Sequence, residues 1–427
     1  MRQIEARSVT SGKLESLVDD RFGPFANFQT FKTLPGWWIS SCSIARAPTG
    51  NCFGTHAQTA AGASLHKEEA LIKALGEAAE RFSGLQSVHH DTIFLRRWQD
   101  SQYRDVLPCV GRLGNEQDVA EAIDPNSYVS HTTMIEALSN KSVEIPSAIV
   151  HLGANIDKEP LVTHPISTGL AFHTNLELAL LSGVREVLER DALMICWMYP
   201  HLTRRIVAIQ DLEHLELGSR LEKCANYEIE CTLTHINVDL VVAPIIMCVL
   251  KSERFPRFVV GTGSASSIAE ACVKSIDEAM SIRLFCEMNQ SRSNLLCAHA
   301  TQPSSLEDHA LLYAGRPTPD AFQPFDDAGE VTLANLASEW AQEGAIAQDF
   351  VEAALRLHPL GLTVLWKEIT AKEVCHIGRA IRIVIPQALP LSQTHAVRWL
   401  GTPRLQILAK NYLAEGREPR ALSHPFS

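Results

Sequence analysis

Five glutamates are spaced as if to work together. Glu77 and Glu80 stand three apart with Arg81 next, and Glu186, Glu189 and Arg190 repeat the spacing. Glu278 follows Lys274 by four residues. On a helix, positions i and i+3 share a face, so each pair stacks two carboxylates that repel unless a cation lies between them. The arginine would serve, or a divalent cation: Mg2+ takes one or two carboxylates and completes its shell with phosphate oxygens and water. A single such motif is equally the pattern of a solvated helix face. The second copy differs, because Leu180, Leu181, Val184, Val187, Leu188 and Leu193 surround its acids, and acids beside a buried stripe need partners. Lys274 and Glu278 also fit a helix-surface ion pair.

These residues must ride on helices. Over 64–88, Leu65, Ala70, Leu71, Ala74, Leu75, Ala78 and Phe82 recur at three- and four-residue intervals. Ser64 with Lys67 and Glu68 marks the start and Gly84 the stop. The same plan, a glycine-bearing turn and then an Ala/Leu-rich helix with acids late, recurs over 167–193 and 261–285. Three such units predict a shared metal–phosphate site, the glycines letting phosphate approach helix N-termini and backbone amides. Strands are expected over Trp37–Ala45, Ala148–Leu152, Leu240–Leu250 (interrupted by Pro244), Phe258–Val260, Leu362–Trp366 and Ile381–Ile385. Alternating strand and helix signals predict an α/β chain. The Pro-, Asp- and Gln-rich 299–330 stretch reads as a long surface loop, with a helix resuming over Leu333–Arg356.

Composition narrows the function. At 427 residues, 46% of them hydrophobic, the chain has ample core. Lys and Arg number 38 against 49 Asp and Glu, a formal charge of −11, which argues against phosphate-backbone binding and so against a nucleic-acid partner. No run is long and apolar enough for a membrane span, and the N-terminus lacks a signal-peptide core, so the expected compartment is the cytosol. The 11 cysteines include no CxxC pair and read as reduced, mostly buried thiols. No Walker A or kinase glycine loop is present, so a nucleotide site would have to be built from acids through Mg2+. His89-His90 are adjacent and share no helix face, and Trp37-Trp38 read as core or interface.

Four segments resemble the YcaO superfamily: AGASLHKEEALIKALGEAAERFSG, STGLAFHTNLELALLSGVREVLERDAL, GTGSASSIAEACVKSIDEAMSIR, and the tail GLTVLWKEITAKEVCHIGRAIRIVIPQALPL with Arg398 and LGTPRL. The match runs in order over about 56–405. It implies a YcaO-type fold of repeated strand–glycine turn–helix units around a central ATP/Mg2+ site. Residues 1–55 would lead into the catalytic domain and 56–427 would form it. The resemblance makes Glu77, Glu80, Glu186, Glu189 and Glu278 the Mg2+ ligands, and Ser182 a nucleotide contact one turn before Glu186. It makes Arg81, Arg190 and Arg283 candidates for phosphate contacts or for orienting acids. Two positions depart from the family pattern. Lys73 stands where Ser is usual and Lys274 where Gln or Arg is common; both would serve phosphates as point charges.

The ending Leu422–Ser427, with its HPFS, is similar to the proline-rich terminus of the azoline-forming, microcin B17 synthase-like branch, as is the opening Leu17–Gly23. In that branch the tail enters the active site, which makes the Ser427 carboxylate a candidate base beside the catalytic Glu77 and Glu186. The implied activity is ATP-dependent cyclodehydration of Cys, Ser or Thr in a ribosomal precursor peptide. The implied partners are that peptide, a leader-binding clamp protein and a flavin-dependent azoline dehydrogenase. A thioamide- or amidine-forming YcaO enzyme and a non-catalytic scaffold are the alternatives.

Overall fold

A computed structural model describes residues 12–45, 58–107, 123–154, 159–160, 162–163, 165–207, 215–238, 242–299, 302–316, 318–342, 346–395, 399, 402–408, 410 and 418–426. In chain order, β1 (Phe25–Lys32), β2 (Trp38–Ile44) and β3 (Thr59–Ser64) lead into helix α1 (Lys67–Gln86). Then come β4 (Phe94–Arg97), β5 (Tyr128–Glu136), β6 (Ser142–Pro146), the short α2 (Ser147–Val150), β7 (Leu170–His173) and α3 (Leu176–Met198). Next are β8 (Thr203–Val207), α4 (Leu215–Asn226), β9 (Glu230–Ile236), β10 (Ile245–Lys251), β11 (Phe258–Ser264) and α5 (Ile268–Met288). The rest comprises α6 (Gln290–Ala298), α7 (Leu306–Gly315), α8 (Pro319–Asp326), β12 (Gly329–Thr332), α9 (Leu333–Gln342), α10 (Phe350–Leu357), β13 (Leu365–Glu368), β14 (Arg379–Val384) and α11 (Pro403–Leu408).

The strands form three sheets, in orders β1-β2-β3, β11-β10-β9-β8-β12 and β4-β5-β13-β14-β7, with β6 on β5. Pairing is antiparallel except that β12 runs parallel to β8. β2 from the N-terminal segment pairs with both β1 and β3, so these three strands share one sheet. Each long helix centres its own core cluster: α1 with Leu75, Ala78 and Phe82, α3 with Val184, Leu188 and Trp197, and α5 with Cys272, Ile276 and Ala279.

Glycine explains how the helices press on their strands. A Cβ on Gly62 would lie 2.4 Å from the Ala70 carbonyl of α1, and one on Gly263 would lie 2.4 Å from the Ala271 carbonyl of α5. Only glycine admits that approach. The glycines expected to admit phosphate therefore serve close strand–helix packing. Gly84 does not end α1, which runs on to Gln86, and it packs on Leu152 and Leu170.

Three further expectations are corrected. Ala148–Val150 belong to α2, because the chain turns after Pro146. The 299–330 stretch carries α7, α8 and β12, not a long loop. The Ser305 side chain accepts from the Asp308 amide and starts α7, while Pro319 opens α8 at a position where its missing N–H costs nothing. The helix expected over Leu333–Arg356 is two helices, the second started by Asp349, whose carboxylate accepts from the Glu352 amide.

Candidate active site

Middle turns of α1, α3 and α5 bring the five glutamates together. Glu77 accepts from the Ala61 amide of β3 at 2.7 Å and pairs with Arg81 at 2.6 Å. Arg81 also donates to the Thr59 carbonyl. The third unit repeats the first: Glu278 accepts from the Thr262 amide of β11 at 2.7 Å, and Arg190 of α3 lies 3.6 Å from it. Glu189, 8% exposed, lies 2.5 Å from the Thr262 hydroxyl.

Electrostatics show how crowded these acids are. Burial pushes the Glu80 carboxyl well above its usual value, with Glu186 and Glu77 adding repulsion. Burial pushes Glu186 up to about 7, opposed by Arg190 and reinforced by Glu189. Glu278 is raised by burial and Glu189, against Arg190 and the Thr262 bonds. Arg190 is half-buried, and its pKa rises because Glu278, Glu189, Glu186 and Glu77 outweigh desolvation. Three carboxyls that resist ionising mark a surplus of negative charge, which a divalent cation would neutralise. Among the described residues no three His, Cys, Asp or Glu side chains form a ready metal cage.

Arg382 of β14 escaped the sequence reading. It is 4% exposed, donates to the Ile166 and Ile149 carbonyls, and burial lowers its pKa to about 10 against the pull of Glu186 and Glu80. The signal was present: one arginine in the otherwise apolar AIRIVI. Beside it opens an apolar cleft lined by Val187, Arg382, Ile383, Ala388, Leu389 and Thr168 among others.

The two lysines have different surroundings. Lys73 donates to Asp277 at 2.9 Å and to the Ala63 carbonyl at 2.8 Å. Asp277 also accepts from Trp37 Nε1 at 2.8 Å and from Arg220 Nε and Nη2. Burial works against that carboxylate, but Lys73 and Arg220 hold its pKa down. Lys274 donates to the Ser264 carbonyl at 3.2 Å, and its pKa is lowered by desolvation. Ser182 is exposed on α3, one turn before Glu186. Arg283 is not brought to the cluster: it donates to the Pro256 carbonyl and pairs with Glu287. His89 and His90 are exposed.

Ser427 lies outside the described residues. The tail before it is firmly seated. Phe426 and Tyr313 pack edge-on to Trp197, the His309 and His424 rings stack at 3.8 Å, and His309 Nδ1 and the His424 carbonyl are 2.9 Å apart. Among the described residues no helix is long and apolar enough to cross a membrane.

The family model for "YcaO cyclodehydratase", ATP- and Mg2+-binding, matches residues 61–389. No curated protein matches the sequence. Among solved structures, a heterocyclase in complex with substrate and cofactor aligns with TM-score 0.77 at 14% identity, covering 98% of this chain and 57% of its own. The chain thus spans little more than half of that heterocyclase. YcaO from Methanopyrus kandleri, bound with AMPPCP and Mg2+, aligns with TM-score 0.62 at 15% identity, covering 100% of this chain and 96% of its own. The E. coli microcin synthetase McbBCD complex with pro-MccB17 bound gives 0.57 at 13%, with coverages of 84% and 87%. At such identities the likeness carries the fold.

Proposed function

The chain belongs to the YcaO family of ATP- and Mg2+-binding cyclodehydratases, and from that premise we propose that it closes azoline rings in a ribosomally made precursor peptide. The observation that carries the reading is the convergence of Glu77, Glu80, Glu186, Glu189 and Glu278 from three helices into one cluster with excess negative charge. In the proposed reaction, a Cys thiol or a Ser or Thr hydroxyl gives up its proton and adds to the preceding carbonyl carbon, and the new C–S or C–O bond closes the ring. The resulting oxyanion takes the γ-phosphoryl group of ATP with release of ADP, the C–O bond then breaks as phosphate departs, the amide nitrogen loses its proton, and C=N forms within the ring. ATP and Mg2+ supply a good leaving group where an amide has none.

The residues of this chain position and neutralise charge, as in other phosphoryl transfers. The five glutamates would hold Mg2+. Arg81 and Arg190 orient them, and Arg382, beside Glu80 and Glu186, faces the same charge. The apolar cleft next to Val187 would receive the peptide. A heterocyclase described with its substrate, and a microcin synthetase complex described with pro-MccB17, support a peptide substrate and partner proteins. A leader-binding clamp protein and a flavin-dependent dehydrogenase are the partners this reading assigns.

The test is the mass of the precursor peptide encoded beside the gene, after co-expression with the neighbouring partner genes. Loss of one water per modified residue, or of water plus two hydrogens, is expected, and the Glu77→Gln, Glu186→Gln double variant should abolish it. Replacement of oxygen by sulfur would move the protein to thioamide formation. Product from the double variant would overturn the metal–nucleotide assignment.

A further inference from the structure

Thr262 stands between two acids that come from different helices. Its hydroxyl is 2.5 Å from Glu189 Oε1 on α3 and 2.9 Å from Glu278 Oε2 on α5. Its backbone N–H donates to the same Glu278 oxygen at 2.7 Å. The residue is 4% exposed, so water does not readily replace these bonds.

The first unit is a built-in control. There the acid-to-amide bond recurs at the same separation of 16 residues, from the Ala61 amide to Glu77, and the lysine-to-carbonyl bond recurs at the same separation of 10. Ala61 has no hydroxyl. Glu77 needs none, because Arg81 of its own helix completes its seat. One backbone amide plus a local cation therefore suffices for an acid that works on one helix. On the α5 side the nearest cation, Arg190, is 3.6 Å from Glu278 and belongs to α3. The hydroxyl is what ties Glu189 to Glu278 directly.

We propose that Thr262 is a positioning residue for Mg2+–nucleotide binding. It holds Glu189 and Glu278 close enough to act on one cation-bearing phosphate group. This rests on reading the cluster as the ATP and Mg2+ site. The hydroxyl has one proton, which it donates to Glu189 while the backbone N–H donates to Glu278, so the one residue seats both acids without neutralising either. Hydrogen-bond partners that orient metal-binding carboxylates typically account for about 10- to 100-fold in metal affinity.

The experiment is calorimetric binding of AMPPCP to the full chain across a Mg2+ titration. For Thr262→Val, the Mg2+ concentration that supports half-maximal binding should rise at least about tenfold. At saturating Mg2+ the nucleotide affinity should return to the wild-type value, and Thr262→Ser should restore the wild-type Mg2+ dependence. Should the valine variant not fold, Thr262→Ala carries the same expectation, since alanine occupies the matching place in the first unit. An unchanged Mg2+ dependence sinks the proposal alone. So does a loss that persists at saturating Mg2+, or one that serine fails to rescue, since either marks general damage to the fold. A wild-type chain that binds no AMPPCP with Mg2+ sinks the reading of the cluster, and the proposal with it.

Discussion

Glu186 sets the proton balance of the site. Burial and its neighbours lift its carboxyl to about 7, from an ordinary value of 4.5. The folded, metal-free protein therefore keeps a proton over a range where the unfolded chain has released it. Its stability falls as pH rises from about 4.5 through about 7, the reverse of an ordinary ion-paired acid. A divalent cation relieves that penalty. The melting temperature gained on adding Mg2+ with AMPPCP, relative to chelator, should grow as pH rises from about 6 to about 8. A gain that shrinks over that range would contradict the assignment of Glu186 to the metal site. Residue types and spacing pointed to this carboxylate, but its charge state follows from what surrounds it. Arg283 shows the other side. It shares its helix with Glu278 but stands five residues on, off the face that positions three and four apart share, and it donates to the Pro256 carbonyl.

The elements differ in how plainly they announced themselves. α1, α3 and α5 were legible because a long amphipathic repeat admits one reading. The 299–330 stretch was not. Its prolines read as loop, yet Pro319 opens α8 and Pro324 lies inside it. These helices help to seat the tail, through Tyr313 to the Ser423 carbonyl and His309 to the His424 carbonyl. Burial lowers His309 to about 4 and His424 well below its usual 6.5; the His309 ring repels a proton on His424, while the His424 carbonyl favours one on His309. His395 repels a proton on both, and Asp308 opposes it at His309. Bases whose folded pKa is depressed contribute stability that is present above about pH 6.5 and lost as pH falls toward about 4. Melting temperature should fall with acidification through that window. His309→Phe, which keeps a stacking ring but not the titration, should flatten the fall. An identical profile in the variant would show that the tail anchor does not titrate there.

Long-range contacts complete the site. Trp37, from the N-terminal segment, is fully buried and donates to Asp277, 240 residues away, on the helix that carries Glu278. Asp277 in turn holds Lys73 and Arg220. Trp37→Phe should cost about 1–3 kcal/mol, the penalty for leaving a buried acceptor short of a donor. It should lower the melting temperature in chelator as well as in Mg2+; a loss confined to one condition would mean the contact acts through the metal alone. The amino-acid order was enough for the family, the three acid-bearing helices and the five glutamates, because helical period and motif spacing are local and survive in one dimension. Arg382, Thr262 and Asp277 became part of the site only when strands and helices from distant segments packed together. The glycines gained a meaning for the same reason: Gly62 and Gly263, expected from sequence to let phosphate approach, are contact points between strand and helix. Burial, and hence the charge each acid carries, belongs to no single segment. It arises where three cores meet, and so it is a property of the packed chain.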